Sequence, residues 1–395
     1  MQLVAPVPAP MVQAGRIHEL DAIRGVALAG ILLVNMGLFS FPALYLDPLE
    51  YWPGTWNKIS VLFVNLVGEG KFISMFSFLF GLGFTIFLQS AEKKGHSPVK
   101  LFLRRLLVLL GIGMIHANFI WFGDVLCFYS TLGALLLFFR HCKPETLVKW
   151  AMGLLLIPVL LYMLGGMIVG SAWFADGGAT TTAGTAAIDA YRNGTWQQLY
   201  AQNANDLIVT RIGYLIEAPV IFAMFLLGAY AGKRRIFHDP EQHIVFIRRV
   251  QLGSAMIGWP IALLSLLYIS AGHSTAVYSY AQVFSSYIAG PAIGIFYIAT
   301  IIRLLRCTTW QRILLPFQAA GRMAATNYLL QSVICVSVYY SFGGGLYAGI
   351  GPLAILWIWA TIFVVQLAVS SWWMSHFRFG PVEWLWRSLT YGKMI

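Results

Sequence analysis

The stretch PLAILWIWATIFVVQLAVSSWWM, residues 352–374, contains no charged side chain. A helix needs about 20 mostly apolar residues to cross a bilayer, so this stretch predicts a membrane span. The rest of the chain has the same character, because 59% of its 395 residues are hydrophobic and only 10% are charged. Soluble domains carry about 25% charged residues. The composition therefore excludes a cytosolic enzyme, a disordered protein and a secreted disulfide scaffold, and it indicates a polytopic membrane protein.

Ten segments have the length and apolarity of spans, which predicts an all-α membrane bundle of about ten transmembrane helices. They are 22–42, 69–91, 101–122, 124–140, 147–171, 209–231, 247–271, 276–303, 318–341 and 352–374. The segment KISVLFVNLVG (58–68) predicts an interfacial helix, and the polar Thr/Ala/Gly-rich stretch 173–208 predicts the one sizeable loop. We expect a single transmembrane domain over 20–375, a tail at 1–19 and an interfacial C-terminal tail at 376–395.

The basic residues predict the orientation of the bundle. With the N-terminus inside, 22 of the 26 Lys and Arg residues fall on cytoplasmic segments, and the other four are Lys58, Lys71, Arg192 and Arg211. Cytoplasmic segments of membrane proteins carry such an excess, so both termini are expected in the cytoplasm. The net charge of +11 then faces anionic lipid or a cytoplasmic anion, and no nucleic-acid partner is expected.

Several polar groups fall in the outer half of the predicted spans. Groups of this kind are costly in a bilayer and call for a role. They are Asn35, Glu69, Lys71, His116, Asp124, Arg211 and Glu217. Each alone is compatible with packing or an interface position. Their shared depth favours a polar cavity open to the outside, on which Asn35, Glu69, His116 and Asp124 converge.

His116 and Asp124 form the sharpest pair in this set. They flank the tight turn WFGDV, so their side chains can meet. A neutral imidazole can accept a proton from a hydroxyl or an amine, and a carboxylate on its other nitrogen fixes the tautomer. Asp124 also has the position of an N-cap before an apolar run, and His116 could make a helix–helix hydrogen bond instead.

Arginines lie at the predicted cytoplasmic ends of two spans. Arg24 lies in the first turn of the first span, and Arg104 and Arg105 open the third. Such residues often extend to lipid headgroups. However, Arg105 precedes His116 by eleven residues, and Arg24 precedes Asn35 by the same number, which is about 16 Å of helix in each case. This is about the reach of a pantetheine arm, so a nucleotide held by these arginines could present its thioester near the outer face.

Two further motifs carry both a packing and a functional interpretation. In AAGRMAATNYLLQS (319–332), Arg322 is followed by Asn327 and Gln331 at i, i+4, on one helix face. Two amides there can join helices or line a substrate path. The glycines Gly81 and Gly83 lie inside a span with no strand before them, so they predict helix packing and not a nucleotide fingerprint.

The chain is identified as a member of the YeiB-like family of bacterial multispanning proteins. The resemblance runs in order through nearly the whole chain. It rests on RIHELDAIRGVALAGILLVNM (16–36), GEGKFISMFSFLFGLGF (68–84), RRLLVLLGIGMIHANFIWFGDVLCFY (104–129), AAGRMAATNYLLQS (319–332) and FGPVEWLWR (379–387). It implies a multi-pass protein of the bacterial inner (plasma) membrane.

LDAIRG followed by Asn35 resembles, more distantly, the opening of the transmembrane acyltransferases, which include surface-polysaccharide acyltransferases and heparan-glucosaminide N-acetyltransferase. The resemblance implies transfer from cytoplasmic acyl-CoA to an acceptor across the membrane. Arg24 holds the place of the family arginine, and Asn35 holds the place of the bacterial catalytic histidine. The heparan-modifying branch has its catalytic histidine after the first span, and no histidine lies between 19 and 95 here. His116 would take that role.

Two functions therefore stand as hypotheses. The first is an acyl-CoA-dependent acyltransferase in which Arg24, Arg104 and Arg105 hold the nucleotide. His116 with Asp124 acts as base or acyl carrier, and Asn35 binds the thioester carbonyl or the oxyanion. The second is a secondary transporter or exporter that uses a charge relay. The groups expected to line a substrate cavity are Glu69, Lys71, Glu217, Arg322, Asn327 and Gln331. We expect membrane lipids and a small-molecule or glycan acceptor as partners and no metal, and leave a homodimer open.

Overall fold

The computed structural model describes residues 17–95, 97–169, 179–270 and 275–392. Most of the predicted N-terminal tail, the beginning of the predicted loop at 173–178, and residues 393–395 of the C-terminal tail lie outside the described residues.

The described residues form α-helices joined by short turns. They are α1 (His18–Ser40), α2 (Pro48–Tyr51), α3 (Thr55–Val67), α4 (Lys71–Lys93), α5 (Pro98–Phe119), α6 (Leu126–Leu135), α7 (Pro144–Val169), α8 (Ala179–Asn193), α9 (Trp196–Lys233), α10 (Ile244–Ser270), α11 (Thr275–Phe284), α12 (Gly290–Leu304), α13 (Thr308–Ile313), α14 (Leu315–Arg322), α15 (Ala324–Tyr339), α16 (Pro352–His376) and α17 (Pro381–Tyr391). A 3-10 turn (Leu136–Phe139) extends α6, and a π-helical turn (Ser285–Ala289) joins α11 to α12. The segment expected to form an interfacial helix is helical, as part of α3.

Seven segments among the described residues are long and apolar enough to cross a membrane, which makes this a multi-pass membrane protein. They lie in α1, in α3 with α4, in α7, in α9, in α10, in α11 to α12, and in α16. The other three predicted spans are also helical, as α5, as the short α6 with its 3-10 turn, and as α14 with α15. The prediction of one continuous helix over 318–341 is wrong, because the backbone at Met323 leaves the helical conformation.

The expectation of a loop at 173–208 is also wrong for the described part of that range. Residues 179–193 form α8, and α9 begins at Trp196 and not at 209. Thr195 and Gln198 form a reciprocal capping box that starts α9. Short, polar, alanine-containing segments can form helices once they are capped and packed, and hydropathy does not detect them.

Glycines bring α4 and α9 into close contact at the centre of the bundle, where these two helices share their most extensive interface. A Cβ added at Gly81 would lie 1.8 Å from the Phe225 carbonyl oxygen, and one added at Gly228 would lie 1.9 Å from the Phe78 carbonyl oxygen. Small residues let membrane helices approach in this way. Nothing lies within 4 Å of a Cβ added at Gly83. The packing role predicted for the two glycines therefore holds for Gly81 alone.

The same device joins α1 to α14. A Cβ at Gly25 would lie 2.0 Å from the carbonyl oxygen of Phe317, and one at Gly321 would lie 1.9 Å from that of Asp21. The first helix of the described residues, α1, is thus fixed against α14, which lies in the last quarter of the sequence.

The helices alternate between two ends of the bundle. We call one of them the basic end: it is where α1, α5 and α10 begin and where α9 and α12 finish. At this end, Lys233 at the end of α9 donates to the carbonyl oxygens of Arg140 and Cys142. At the opposite end, the backbone N–H of Ala348 donates to the carbonyl oxygen of Ser40, which ties the α15–α16 connection to the end of α1. The candidate chemistry divides between these two ends.

Candidate functional site

His116 and Asp124 meet at the opposite end of the bundle. His116 Nδ1 lies 2.8 Å from Asp124 Oδ2, and both side chains are buried. Because a carboxylate accepts, the proton on this hydrogen bond is assigned to Nδ1, which leaves Nε2 as an acceptor. This is the tautomer that a general base requires. The contact predicted between these two residues is present.

The turn that carries Asp124 is held by backbone geometry and by one tyrosine. Asp124 Oδ1 accepts from the backbone N–H of Cys127 at 2.8 Å, so the same carboxylate caps α6 and contacts the imidazole. A Cβ at Gly113 would lie 2.7 Å from the Cys127 nitrogen, so the turn packs directly on α5. The hydroxyl of Tyr328 in α15 donates to the Gly123 carbonyl oxygen at 3.3 Å. Both interpretations of Asp124, as a cap and as the partner of the histidine, therefore apply.

Three buried polar atoms near this pair find no hydrogen-bond partner among the described residues. They are His116 Nε2, Trp121 Nε1 and Asn203 Oδ1. Asn203 comes from α9 and is oriented by its amide, which donates to the Ala117 carbonyl oxygen at 3.0 Å. A buried polar atom without a partner is costly, and native proteins rarely keep one without a use. The imidazole acceptor, an indole donor and an amide acceptor could serve a polar ligand.

A second charged cluster lies where α3 meets α4. Lys71 is fully buried, and its ammonium donates to the Asn65 carbonyl oxygen at 2.7 Å. The carboxylate of Glu69 interacts electrostatically with Lys71 and with Glu217 of α9. The structure therefore brings three of the predicted cavity residues together.

Tyr214 interacts electrostatically with one member of each group. Its hydroxyl lies within electrostatic range of both Glu217 and Asp124.

The corner between α3 and α4 is formed by Gly70 at φ +75°, where a Cβ would lie 2.6 Å from the Ser286 carbonyl oxygen in the π-helical turn. Only glycine fits this left-handed position at such a close approach.

Asn35 lies on α1 and is only half-buried. Among the described residues, nothing hydrogen-bonds its side-chain amide. Of the four residues expected to converge on one polar cavity, the structure joins His116 to Asp124, and Glu69 interacts with Lys71. The convergence of Asn35 and Glu69 on the dyad stays a prediction.

Asn327 and Gln331 belong to a helix–helix network. The Asn327 amide donates to Ser370 Oγ of α16 at 2.9 Å, and the Gln331 amide donates to Gln366 Oε1 at 2.8 Å. Gln366 in turn donates to the Asn327 carbonyl oxygen at 3.1 Å. All of these groups are buried and have partners, so the structure supports the packing alternative for the two amides.

At the basic end, the predicted arginines lie beside the C-terminal helix. The guanidinium of Arg105 lies 4.0 Å from the ring centroid of Trp386 in α17 and 5.3 Å from that of Phe87. It interacts electrostatically with the guanidinium groups of Arg24 and Arg387. In the described part of the chain, no carboxylate forms an ion pair with Arg105. No ion pair within this part of the chain therefore neutralises the charge of Arg105.

The other three predicted arginines have different surroundings. Arg104 reaches the end of α17, since a Cβ at Gly392 would lie 3.1 Å from its Nη1. Arg322, expected in the substrate cavity, donates to the Arg378 carbonyl oxygen at 3.4 Å, at the break between α14 and α15. Arg24 is paired with Asp21 at 3.2 Å and remains about one-third exposed.

One carboxylate docks α17 on the bundle. Glu383 Oε1 accepts from the backbone N–H groups of Ala325 and Thr326, at 2.7 and 3.2 Å, and Oε2 accepts from the Thr326 hydroxyl at 2.6 Å. These are unpaired N–H groups of the first turn of α15, where a negative charge is stabilising. The indole of Trp386 donates to the Arg105 carbonyl oxygen at 2.9 Å. The helix expected as an interfacial segment is therefore part of the bundle.

Relatives of the chain match over almost its full length. It is 36% identical to the "Uncharacterized protein YxaH" of Bacillus subtilis (strain 168), over 97% of this chain and 96% of that protein. It is 28% identical to the "Uncharacterized protein YeiB" of Escherichia coli (strain K12), over 94% and 95%. Residues 231–393 match the family described as "Protein of unknown function (DUF418)". The chain belongs to the YeiB-like, DUF418 family.

The DUF418 match covers α10 to α17 and leaves the dyad outside it. The amide network of α15 and α16 and the docked helix α17 therefore lie in the matched part of this YeiB-like chain. His116 and Asp124 lie in the N-terminal part, which only the full-length relatives cover.

Asp206 is the residue that sequence reasoning missed in this family member. It is buried and accepts three hydrogen bonds, from the hydroxyls of Tyr45 and Tyr191 at 2.6 and 2.7 Å and from the Gln202 amide at 2.8 Å. Burial and the Asp206 carboxylate raise the pKa of Tyr45 above its ordinary value, so this hydroxyl remains a donor. The ring of Tyr191 stacks on Tyr340 at 4.5 Å. Asp206 of α9 thus holds α8 and the connection between α1 and α2 together, at the end of the bundle opposite the basic end.

Proposed function

We propose that this protein is an acyl-CoA-dependent transmembrane acyltransferase of the bacterial inner membrane, which delivers an acyl group to an acceptor at the outer face. The observation that carries the proposal is the buried dyad, in which His116 Nδ1 bonds Asp124 at 2.8 Å while Nε2 has no partner among the described residues. An imidazole oriented by a carboxylate, with its second nitrogen open, has the arrangement of a general base.

The reaction would proceed as a direct transfer. His116 Nε2 removes a proton from the acceptor hydroxyl or amine, whose oxygen or nitrogen then attacks the thioester carbonyl carbon. The tetrahedral oxyanion forms and collapses, the C–S bond breaks, and the thiolate of CoA leaves and is protonated. Asp124 stabilises the imidazolium between these steps. Asn35 is proposed to donate to the oxyanion, because its amide is uncommitted among the described residues.

The nucleotide is proposed to bind at the basic end. Because α5 is continuous from Pro98 to Phe119, Arg105 and His116 lie about 16 Å apart along one helix axis. Arg24, Arg104 and Arg105 are proposed to hold the phosphates, and the guanidinium of Arg387 in α17 interacts electrostatically with that of Arg105. Guanidinium groups bind phosphate oxygens in a bidentate manner. An acyl-CoA held there would extend its pantetheine arm along α5 towards the dyad.

Arg105→Ala is expected to weaken acyl-CoA binding by about 1.5–3 kcal/mol, the usual scale of a charge-assisted hydrogen bond. Isothermal titration calorimetry of acetyl-CoA on the purified protein measures this. Lys149→Ala, which removes a basic side chain from the same end of the bundle, is the matched control and should bind like the parent. If a folded parent protein binds neither acetyl-CoA nor a long-chain acyl-CoA, the acyltransferase proposal fails.

The orientation is tested through Cys307, an exposed thiol in the turn before α13 at the basic end. The backbone N–H groups of Thr309 and Trp310 lower its pKa, so it should react with maleimides at neutral pH. With the basic end in the cytoplasm, a membrane-impermeant maleimide should label Cys307 in inside-out vesicles and not in intact spheroplasts. Cys307→Ser identifies the labelled residue. An added Ala186→Cys on α8 should give the reverse pattern, and labelling of Cys307 in intact spheroplasts would invert the topology.

The alternative is a secondary transporter or exporter. It is favoured by Lys71, a fully buried cation beside Glu69 and Glu217, because intramembrane charged groups often form proton or substrate relays. Substrate-dependent proton uptake into proteoliposomes that is lost in Glu217→Gln, together with no acyl-CoA binding, would favour this function.

A further inference from the structure

A polar cavity of about 430 Å³ lies between α10 and α12 at the basic end, and its lining includes neither the His116–Asp124 dyad nor Arg24, Arg104 or Arg105. It is lined by Ile244, Gln251, Thr300, Arg303, Leu304 and Arg306. Two guanidinium groups thus share one opening with a hydroxyl and an amide. Such a lining matches an anionic ligand that carries phosphate oxygens.

The cavity wall is organised by a chain of hydrogen bonds. Arg303 Nη1 donates to Gln251 Oε1, and the Gln251 amide donates to Thr300 Oγ1 at 2.7 Å. Thr300 in turn donates to the Phe296 carbonyl oxygen at 2.7 Å. Gln251 is buried, so it holds the first arginine in place with a group that brings no negative charge.

The cavity keeps a net positive charge. Arg306 pairs with Glu241 at 2.9 Å, but the Glu241 side chain is 77% exposed, and exposed ion pairs contribute little. Arg248 lies one turn before Gln251 on the same face of α10 and is exposed. In the described chain, no carboxylate forms an ion pair with Arg248 or Arg303. A single anionic phosphate would therefore find an excess of cations.

The surface of α10 beside the cavity is apolar and exposed, as a lipid-binding site requires. Only 22% of the most apolar stretch of α10 is buried inside the protein. Leu252, Met256 and Leu263 are exposed at 53%, 76% and 49%, along the part of α10 that continues from the cavity into the bundle's apolar zone. A ligand with a phosphate in the cavity could therefore lay acyl chains along α10. Basic pockets between membrane helices are known to bind anionic headgroups.

We infer that the cavity between α10 and α12 binds the phosphodiester headgroup of an anionic phospholipid, with Arg303 and Arg306 as the ligands of the phosphate and Gln251 as the residue that positions Arg303. The site is independent of the proposed acyl transfer. A soluble phosphate compound offers the same phosphate oxygens without the acyl chains, so the experiment separates these two sources.

Native mass spectrometry of the full-length protein in detergent tests the site. The protein is titrated with phosphatidylglycerol and with phosphatidylcholine of identical acyl chains, with and without millimolar inorganic phosphate. The variants are Arg306→Gln and the double variant Arg303→Gln/Arg306→Gln, and the control is Lys149→Gln, which loses one positive charge at the same end. Their melting temperatures report whether each one is folded.

The parent and the control should prefer phosphatidylglycerol, and inorganic phosphate should not displace it. Each guanidinium removed should weaken its binding roughly fivefold, since one basic residue near a lipid headgroup contributes about 1 kcal/mol. Phosphatidylcholine binding should stay unchanged. Equal affinity for the two lipids, or a double variant that binds like the parent, would overturn the inference. Displacement of the lipid by inorganic phosphate would overturn it in favour of a soluble phosphate compound.

Discussion

Replacing His116 with Gln is expected to lower acyl transfer by about 10²–10⁴-fold, the usual contribution of a general base, while acyl-CoA binding stays nearly intact. The reason is that the imidazole lies about 16 Å along α5 from the arginines proposed to bind the nucleotide. Release of CoA in membrane vesicles measures transfer, and calorimetry measures binding. His238→Gln changes an exposed histidine at the basic end and should leave both quantities unchanged.

Asp124→Asn separates the two roles of this carboxylate. Its side-chain oxygen can still accept from the Cys127 N–H and cap α6, but it no longer stabilises an imidazolium. Transfer should therefore fall strongly while the melting temperature stays close to that of the parent. A variant that loses stability and keeps its turnover rate per folded molecule would leave Asp124 as a cap, and transfer by His116→Gln at the rate of the parent would remove the dyad from the mechanism.

Gly228→Ala is expected to destabilise the protein by about 3 kcal/mol or more, at or above the upper end of the range for overpacking. The added Cβ would lie 1.9 Å from the Phe78 carbonyl oxygen, which is backbone and cannot rotate away, so α4 and α9 must separate. Gly81→Ala should have a similar effect, since its Cβ would lie 1.8 Å from the Phe225 carbonyl oxygen. Melting temperature in detergent and the yield of monodisperse protein measure the loss.

Gly83→Ala is the matched control, two residues from Gly81 on the same helix. Nothing lies within 4 Å of its added Cβ, so its stability should remain within about 1 kcal/mol of the parent, the scale of helix propensity. Equal melting temperatures for Gly83→Ala and Gly228→Ala would contradict the close crossing of α4 and α9.

The sequence predicts features that depend on local spacing. Membrane helices can be predicted from runs of apolar residues. In lipid, each run must satisfy its backbone hydrogen bonds within itself, which a helix does without help from distant segments. The contact of His116 with Asp124 follows from a separation of eight positions in the sequence and one tight turn between them. Local spacing does not predict which of Gly81 and Gly83 packs against another helix. The position of α9 determines this, because its backbone lies against Gly81 and not against Gly83.

Features that join distant parts of the chain were not predicted. The hydrogen bond from Tyr45 to Asp206 spans 161 residues, and Asp206 lies in a polar stretch that hydropathy treats as a loop. The hydrogen bond from Trp386 to Arg105 spans 281 residues. Because local spacing does not detect such a contact, the amphipathic C-terminal segment is predicted as a membrane-surface helix, and its docking on α5 is not predicted. The amide network of Asn327 and Gln331 could be assigned to packing only once α16 had been placed.

The close contact of α1 with α14 has a consequence for biosynthesis. Because Gly25 and Gly321 set this interface, α1 finds its most extensive partner only after about 280 further residues are made. At the usual 5–20 residues per second, this is a wait of roughly 14–56 s. During that time the surface of α1 that later meets Phe317 faces lipid or the insertion machinery. Ribosome-stalled chains that end before α14 should therefore hold α1 in a state that is open to crosslinking, and chains that include α14 should close it.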